Sequence, residues 1–421
     1  MRYVIIGNAI ASTGAIEAIR KKDENSEIIV ISDEKYFVYS RAVIHEYLAD
    51  MVTEDLMFYR KKDFYEKNNV TTMLGKKAVK LDIEKKAVIL DDGESVKYDK
   101  LLIATGGKPF IPPGIENLDK VEYFTFTRWD DADKLRDEVK NSENVVVLGA
   151  GLIGLQCADG LLHMGKKTTV IELADTVLPM ALDKKASGMI LDALTKEGIA
   201  FKLNNTIVKI NHENGKIKEL VLKDGETIPA DVLVIAVGVI PRKDLAVDIP
   251  MKVDRGIIVN ELMETNIPDV YAAGDVAQGK ELISGVKMVI PIIPVAYSQG
   301  KYAGYNMTGT ERVYSGSIPM NSLQFANVPV ISYGYVKKDD SDIEELTFFD
   351  EDRMIYKRIL LENNKMIGAL FVGAVDRVGI FRYIIENKLD VSSFKEHLFK
   401  DDFDYPYLPK KFRKDMWMQN Y

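Results

Sequence analysis

The stretch VVVLGAGLIGLQC, residues 145–157, constrains the fold more than any other part of the chain. An apolar run meets a glycine turn, and a helical pattern follows at once. Gly149, Gly151 and Gly154 fit G-x-G-x-x-G, and a second apolar run, KTTVIEL (167–173), lies one helix further on. The first glycine permits a tight turn, the second lets a pyrophosphate approach the backbone, and the third lets helix and strand pack closely. Unpaired N–H groups at the helix start supply positive potential for the anion. Glu172 ends the second strand, where a carboxylate binds adenosine ribose hydroxyls. It would repel a 2′-phosphate, and no arginine lies in IELADTVLP to receive one, so NADH is favoured over NADPH.

The N-terminus carries an altered copy, YVIIGNAIASTG (3–14). Gly7 is kept, while Ala9 and Ser12 replace the next two glycines. Both are small, and the Ser12 hydroxyl can donate to phosphate. EIIVIS (27–32) is the following strand, with Asp33 or Glu34 at its end. The spacing predicts helices over 13–22 and 152–165. Alternating stretches at 70–98 and 199–228 are read as antiparallel strands. The buried runs YDKLLIATGG (98–107) and PADVLVIAVG (229–238) close the two copies. An ordered duplication at a spacing of about 140 residues implies two dinucleotide sites in a parallel α/β framework.

The 421 residues allow two or three domains. Residues 257–275 read as a turn-rich stretch ending in a strand, and 288–307 as a loop entering a helix. From about 316 the pattern changes to successive antiparallel strands and a helix at 375–388, a third, α+β domain. The tail 399–421 is aromatic and rich in lysine and aspartate, a docking strap or a frayed end. A net charge of −8 argues against nonspecific nucleic-acid binding. Cys157 is the single cysteine, which excludes an intrachain disulfide or a cysteine-ligated iron–sulfur cluster and fits a reducing, cytoplasmic setting. It is expected to be a small buried hydrophobe. The four histidines show no metal-ligand spacing, so no metal is expected. No apolar run approaches the ~20 residues of a membrane span. Glu17 interrupts the N-terminal apolar run, which argues against a signal peptide.

TNIPDVYAAGD (265–275), with Thr265 and Gly274-Asp275, resembles the second flavin fingerprint of two-dinucleotide-binding flavoproteins, and ATGG (104–107) resembles their link motif. With the two glycine turns, these motifs resemble the pyridine nucleotide–disulfide oxidoreductase superfamily over the whole chain. ISDEKYFVYSRAVIHEYLAD (31–50) and MNSLQFANVPVISYG (320–334) are most similar to its NADH:acceptor reductases: rubredoxin reductases, nitrite reductase flavin domains and flavin subunits beside carbon monoxide dehydrogenase or 2-oxoacid oxidoreductases.

The resemblance implies two Rossmann-like domains, FAD-binding at 1–112 with 243–315 and NAD-binding at 113–242, and a C-terminal α+β interface domain at 316–421. It assigns FAD to Gly7, Ala9, Ser12, Asp33, Glu34, Arg41 by the diphosphate, Val79 at the adenine, Ala104, Thr105, Gly106, Arg128, Gly274 and Asp275 at the ribityl chain. Pro294, within IIPVAYSQG (292–300), would begin a helix pointing at the flavin pyrimidine. NADH falls to Gly149, Gly151, Leu152, Ile153, Gly154, Glu172 and Gly238. The family's redox cysteine near Ala42-Val43 is absent, and Gln156 stands where glutamate is common near the nicotinamide, the one catalytic assignment. His45 and Glu46 fall in a segment that could approach the flavin. The implied activity is hydride transfer from NADH to flavin, then electron transfer to a rubredoxin-type carrier or an iron–sulfur partner subunit, in a homodimer or hetero-oligomer. A peroxide-forming NADH oxidase and a non-catalytic nucleotide-binding subunit stay open at this point.

Overall fold

The computed structural model describes residues 1–337, 342–410 and 412–413. They form two compact units: Met1–Leu173 with Ala200–Ser317, and Ala174–Ile199 with the described part of 318–421.

The first unit begins with β1 (Arg2–Ile6), α1 (Ile10–Arg20), β2 (Glu27–Ser32), β3 (Val70–Leu74) and β4 (Lys100–Ile103). It continues with α2 (Trp129–Val139), β5 (Asn144–Leu148), α3 (Leu152–His163) and β6 (Lys167–Ile171). After a helix of the second unit, α4 (Lys184–Glu197), come β7 (Ala200–Lys202), β8 (Val232–Ile235), β9 (Val270–Ala272) and α5 (Ile293–Met307). The first sheet runs β9-β4-β1-β2-β3 and the second β8-β5-β6-β7, with every pair parallel. The order β4-β1-β2-β3 is therefore repeated as β8-β5-β6-β7. β1 and β5 are apolar throughout their buried part because parallel strands are covered on both faces.

Each copy also carries a three-stranded antiparallel sheet, Ala78–Asp82 with Ala87–Leu90 and Ser95–Lys97, and Ile207–Glu213 with Lys216–Leu222 and Thr227–Pro229. The expected antiparallel runs are corrected at their starts. Val70–Leu74 pairs parallel with β2 from Ile28↔Val70 onward, and Ala200–Lys202 pairs parallel with β6. Both strands are sheet edges, where partial exposure gives an alternating pattern whatever the partner's direction. α1 begins at Ile10 instead of Thr13, since small residues let the helix start directly after the Gly7 turn.

The second unit is an antiparallel sheet of β10 (Met320–Phe325), β11 (Val328–Gly334), β12 (Ile343–Asp350), β13 (Ile355–Glu362) and β14 (Lys365–Val372), in the order β10-β11-β14-β13-β12, followed by α6 (Gly379–Glu386). Phe381 of α6 packs on Phe371 of β14 with ring centroids 4.6 Å apart. α4 lies within the stretch expected to form one domain from 113 to 242, yet residues 174–199 join this unit. Asp183 is the reason. It caps α4 by accepting from the Ala186 N–H at 2.9 Å, receives the Tyr356 hydroxyl at 2.7 Å and lies 3.3 Å from the Arg358 guanidinium.

The tail is corrected as well. Phe403 is buried against Phe381, Phe394 and Tyr407, and Leu408 is buried, so the chain is packed through at least 408. The rest of the predicted strap, residue 411 and 414–421, lies outside the described residues. Among the described residues no helix is long and apolar enough to cross a membrane.

Candidate functional site

A cavity of about 500 Å³ opens at the carboxyl ends of β1, β2, β4 and β9. This is the crevice where a doubly wound sheet binds its ligand, since the connections from β1 and β4 leave to opposite sides. Gly7 shapes its floor. It has φ +111°, and a Cβ there would stand 2.1 Å from the Ala104 carbonyl oxygen. Gly149 repeats the relation in the second copy, with φ +114° and a Cβ position 2.5 Å from the Ala236 oxygen. Neither glycine could be replaced without moving the end of the neighbouring strand.

Ala9 caps α1 without a side-chain hydrogen bond, so the first N–H groups of the helix are open to an anion. Gly151 does the same for α3, and no atom lies within 4 Å of its Cβ position. Ser12 departs from expectation. Its side chain is buried behind the turn and donates to the Gly7 carbonyl at 2.5 Å, and Ser12 is not part of the cavity wall. The hydroxyl braces the turn because it sits one helical turn beyond the carbonyl that the turn exposes.

Charged side chains form the wall at the end of β2. The Asp33 carboxylate accepts from Arg128 at 2.9 Å and from Arg242 at 3.0 Å. Burial alone would raise its carboxyl, but the two guanidinium groups outweigh it and hold the group below the usual carboxylate range. Glu34 is paired with Arg41 at 2.5 Å and receives the Tyr39 hydroxyl at 2.5 Å. Arg41 also donates to the Thr127 carbonyl at 2.6 Å. Burial pushes the Asp275 carboxyl up, with Arg41 opposing it. Val79 lines the opposite rim and is half exposed. Ala104, Thr105, Gly106 and Gly274 complete the wall, and the Thr105 hydroxyl donates to the Arg242 carbonyl at 2.7 Å.

α5 points its N-terminus at the cavity, but through Pro291, Ile292, Ile293 and Ala296. Pro294 is the second residue of α5, where its fixed φ suits a helix start, and is not among the residues that line the cavity.

The second glycine turn reaches the same cavity. Ile153 and Gln156 of α3 line it beside Ile44 and His45 of the short helix Ile44–Leu48. Gly160 permits that approach, because a Cβ there would meet the His45 carbonyl at 2.9 Å. Gly149, Gly151, Leu152, Gly154, Glu172 and Gly238 are outside this wall. Gly154 packs so tightly that its Cβ would lie 1.9 Å from the Gly149 oxygen. Glu172 accepts from the Ala150 N–H at 2.7 Å, and the Gly238 carbonyl accepts from Phe110 at 2.9 Å. Cys157, one residue past Gln156, is fully buried, and burial pushes its thiol up.

Sequence reasoning missed Arg242 and Tyr39. Arg242 follows the strand that closes the second copy, and no spacing signals that it reaches Asp33. Tyr39 stood inside a quoted motif without an assigned role. Among the described residues no cluster of three His, Cys, Asp or Glu side chains is arranged to hold a metal ion.

Two β-α-β copies, one lining the crevice with its glycine turn and the other reaching it through Ile153 and Gln156, define a two-dinucleotide oxidoreductase fold. Residues 1–300 match the pyridine nucleotide-disulphide oxidoreductase family, and residues 319–389 match the rubredoxin NAD+ reductase C-terminal domain. The chain belongs to the pyridine nucleotide-disulphide oxidoreductase family, whose cofactors are FAD and NAD(P)H. It is 30% identical to the assimilatory nitrate reductase electron transfer subunit of Bacillus subtilis (strain 168), over 96% of this chain and 52% of that protein. It is 32% identical to the NADH-dependent phenylglyoxylate dehydrogenase subunit epsilon of Aromatoleum evansii, over 94% and 93%. The solved NADH:rubredoxin oxidoreductase of Clostridium acetobutylicum superposes with a TM-score of 0.75 at 29% identity, covering 94% of this chain and 97% of that one. The chain spans about half the length of the Bacillus relative.

Proposed function

We propose that the chain is an FAD-dependent NADH:acceptor oxidoreductase that passes electrons to a carrier protein or partner redox subunit of rubredoxin or iron–sulfur type. One observation carries the reading. Residues of both glycine-turn modules, Gly7 and Asp275 from one and Ile153 and Gln156 from the other, line a single cavity. A nucleotide held on each turn would meet its partner there.

The donor set fits FAD. The open N–H groups after Ala9 suit a diphosphate, Asp33 or Glu34 an adenosine ribose, and Asp275 a polyol hydroxyl. Arg41 and Arg128 supply positive charge to an anionic ligand while shared with Glu34 and Asp33. The N-terminus of α5 favours negative charge at the cavity's inner end. Bound FAD supplies the redox chemistry, taking hydride from NADH and releasing electrons singly to the acceptor. Gln156 would orient the nicotinamide through its carboxamide, and Ile44 and Ile153 would exclude water. Glu172 would hold the NADH ribose from the end of β6. The FAD-binding part is 1–112 with 243–315, the NAD-binding part is 113–242 without residues 174–199, which pack in the second unit, and that unit is an interface domain. The cytoplasm is the compartment that suits a single buried cysteine.

Anaerobic rapid mixing of the flavin-loaded protein with NADH, read by flavin absorbance, tests this. Fast bleaching by NADH, followed by slow return with oxygen and fast return with a one-electron carrier, is the expected result. Rapid oxygen-driven turnover would convert the reading to an NADH oxidase, and NADH binding without bleaching of the flavin would convert it to a binding subunit.

A further inference from the structure

The second unit contains a cavity of its own, about 210 Å³, that shares no lining residue with the nucleotide cavity. A water requires roughly 10–15 Å³ of such space, so a small polyatomic ion fits with room for hydration. Arg353 comes from the turn before β13 and Lys357 from β13 itself, Arg377 from the approach to α6, and Lys400, Asp401 and Phe403 from the segment that closes it. That closing segment begins beyond residue 389, where the match to the C-terminal-domain family stops.

Lys357 is the unusual member. It is only 7% exposed, and a buried ammonium is costly unless fully satisfied. Its Nζ donates to the Phe399 carbonyl at 3.1 Å and to Asp401 at 3.2 Å. An ammonium has three N–H groups, and beside these two acceptors the Nζ has the Phe348 ring, its centroid 5.5 Å away, which leaves hydrogen-bonding capacity toward the cavity. Asp401 compensates incompletely, because its side chain is 73% exposed and it also lies 3.9 Å from Arg353. The lining holds four cationic side chains against the carboxylates of Asp376 and Asp401, in a chain whose net charge is −8. Val378, at the mouth of α6, caps that helix without a side-chain bond, so the helix's positive end adds to the same field.

We infer that this cavity binds a small multivalent oxyanion of the phosphate class, seated on Lys357 and held at the rim by Arg377 and Lys400. The free ion and a phosphate monoester share this chemistry.

The test uses the flavin-loaded protein with saturating NAD+, so that both nucleotide sites are occupied. Inorganic phosphate is titrated at constant ionic strength, with sodium chloride as the balance, and hydrogen exchange is followed in residues 374–381 and 398–403. Saturable protection of those segments by phosphate and not by chloride is expected. Lys400→Gln and Arg377→Asn, both at exposed positions, should each weaken it by roughly fivefold, and Lys357→Met should abolish it. Asparagine is chosen at 377 because the backbone there has φ +62°. Adenosine monophosphate that protects as well as phosphate assigns the site to monoesters, and phosphate acting alone assigns it to the free ion. Either supports the site. No local protection up to about 10 mM phosphate, or protection that persists undiminished in the Lys400→Gln, Arg377→Asn double variant, overturns it.

Discussion

The carboxylate of Glu172 accepts the backbone N–H of Ala150 at 2.7 Å, tying the end of β6 to the middle of the glycine turn. One residue thus shapes the turn and stands where the nucleotide ribose is proposed to bind. Glu172→Ala should weaken NADH binding by about tenfold to a hundredfold, the range for a lost hydrogen bond to a charged group. NADPH should be affected less. Flavin reduction measured against both nucleotides checks this, and equal use of both by the unaltered protein would remove the specificity role.

Asp275, proposed to hold the flavin's polyol chain, would set flavin affinity against stability. Burial raises its carboxyl pKa above the ordinary value of 3.8, so the folded apoprotein holds the proton more tightly than the unfolded chain does. Stability associated with this group is therefore present at low pH and falls as pH rises from 3.8 through the raised value. Asp275→Asn removes that cost at neutral pH. The apoprotein should melt higher than the parent while FAD binds roughly tenfold or more weakly. Thermal melts of stripped protein and flavin retention on gel filtration report the two effects separately. A lower apoprotein melting temperature would contradict the burial argument.

Asp33 behaves with the opposite sign. Arg128 and Arg242 hold its carboxyl below the ordinary 3.8, so its contribution is full above that pH and is lost as pH falls through the depressed value. Asp33→Asn should destabilise the apoprotein at pH 7, and the gap to the parent should close in acid. Urea unfolding at a series of pH values measures it. A gap that stays constant with pH would mean that the arginines do not sense the charge.

Cys157 should be chemically silent. It is fully buried on α3, and its thiol is pushed up by burial. A thiol reagent should fail to react with the native protein and titrate one thiol after denaturation. Cys157→Ala should keep NADH-driven flavin reduction while costing about 1 kcal/mol of stability. Loss of reduction with the fold intact would reopen a thiol route.

The closing segment should be structural. Phe403 fills the space between Phe381 and Phe394, so Phe403→Ala should cost about 3–5 kcal/mol in the second unit. Cleavage by a protease at native conditions should rise in 374–410 first. Unchanged resistance would return this stretch to the role of a detachable strap.

Much of the fold was legible because its signals are local. A buried apolar strand, a glycine whose φ must be positive and a helix start with no capping side chain all lie within a dozen residues, and the chain repeats them in order. Gly7 and Gly149 make the tight turns expected of them and Gly154 the close helix packing, and a Cβ on any of the three would stand only 1.9–2.5 Å from a backbone oxygen. The direction of Val70–Leu74 was not legible, because edge exposure produces alternation irrespective of the partner. Nor was the role of Ser12, whose hydroxyl was expected to donate to a phosphate and donates instead to the Gly7 carbonyl. Asp33 reads in sequence as an acid at a strand end. That it is shared by Arg128 and Arg242, from positions about 100 and 200 residues away, depends on the crossing of the two modules. Sequence by itself determined the two turns, the missing dithiol and the family. Tertiary structure alone decided which charges meet, because a charge pair forms by distance in space, and chain separation carries no record of that.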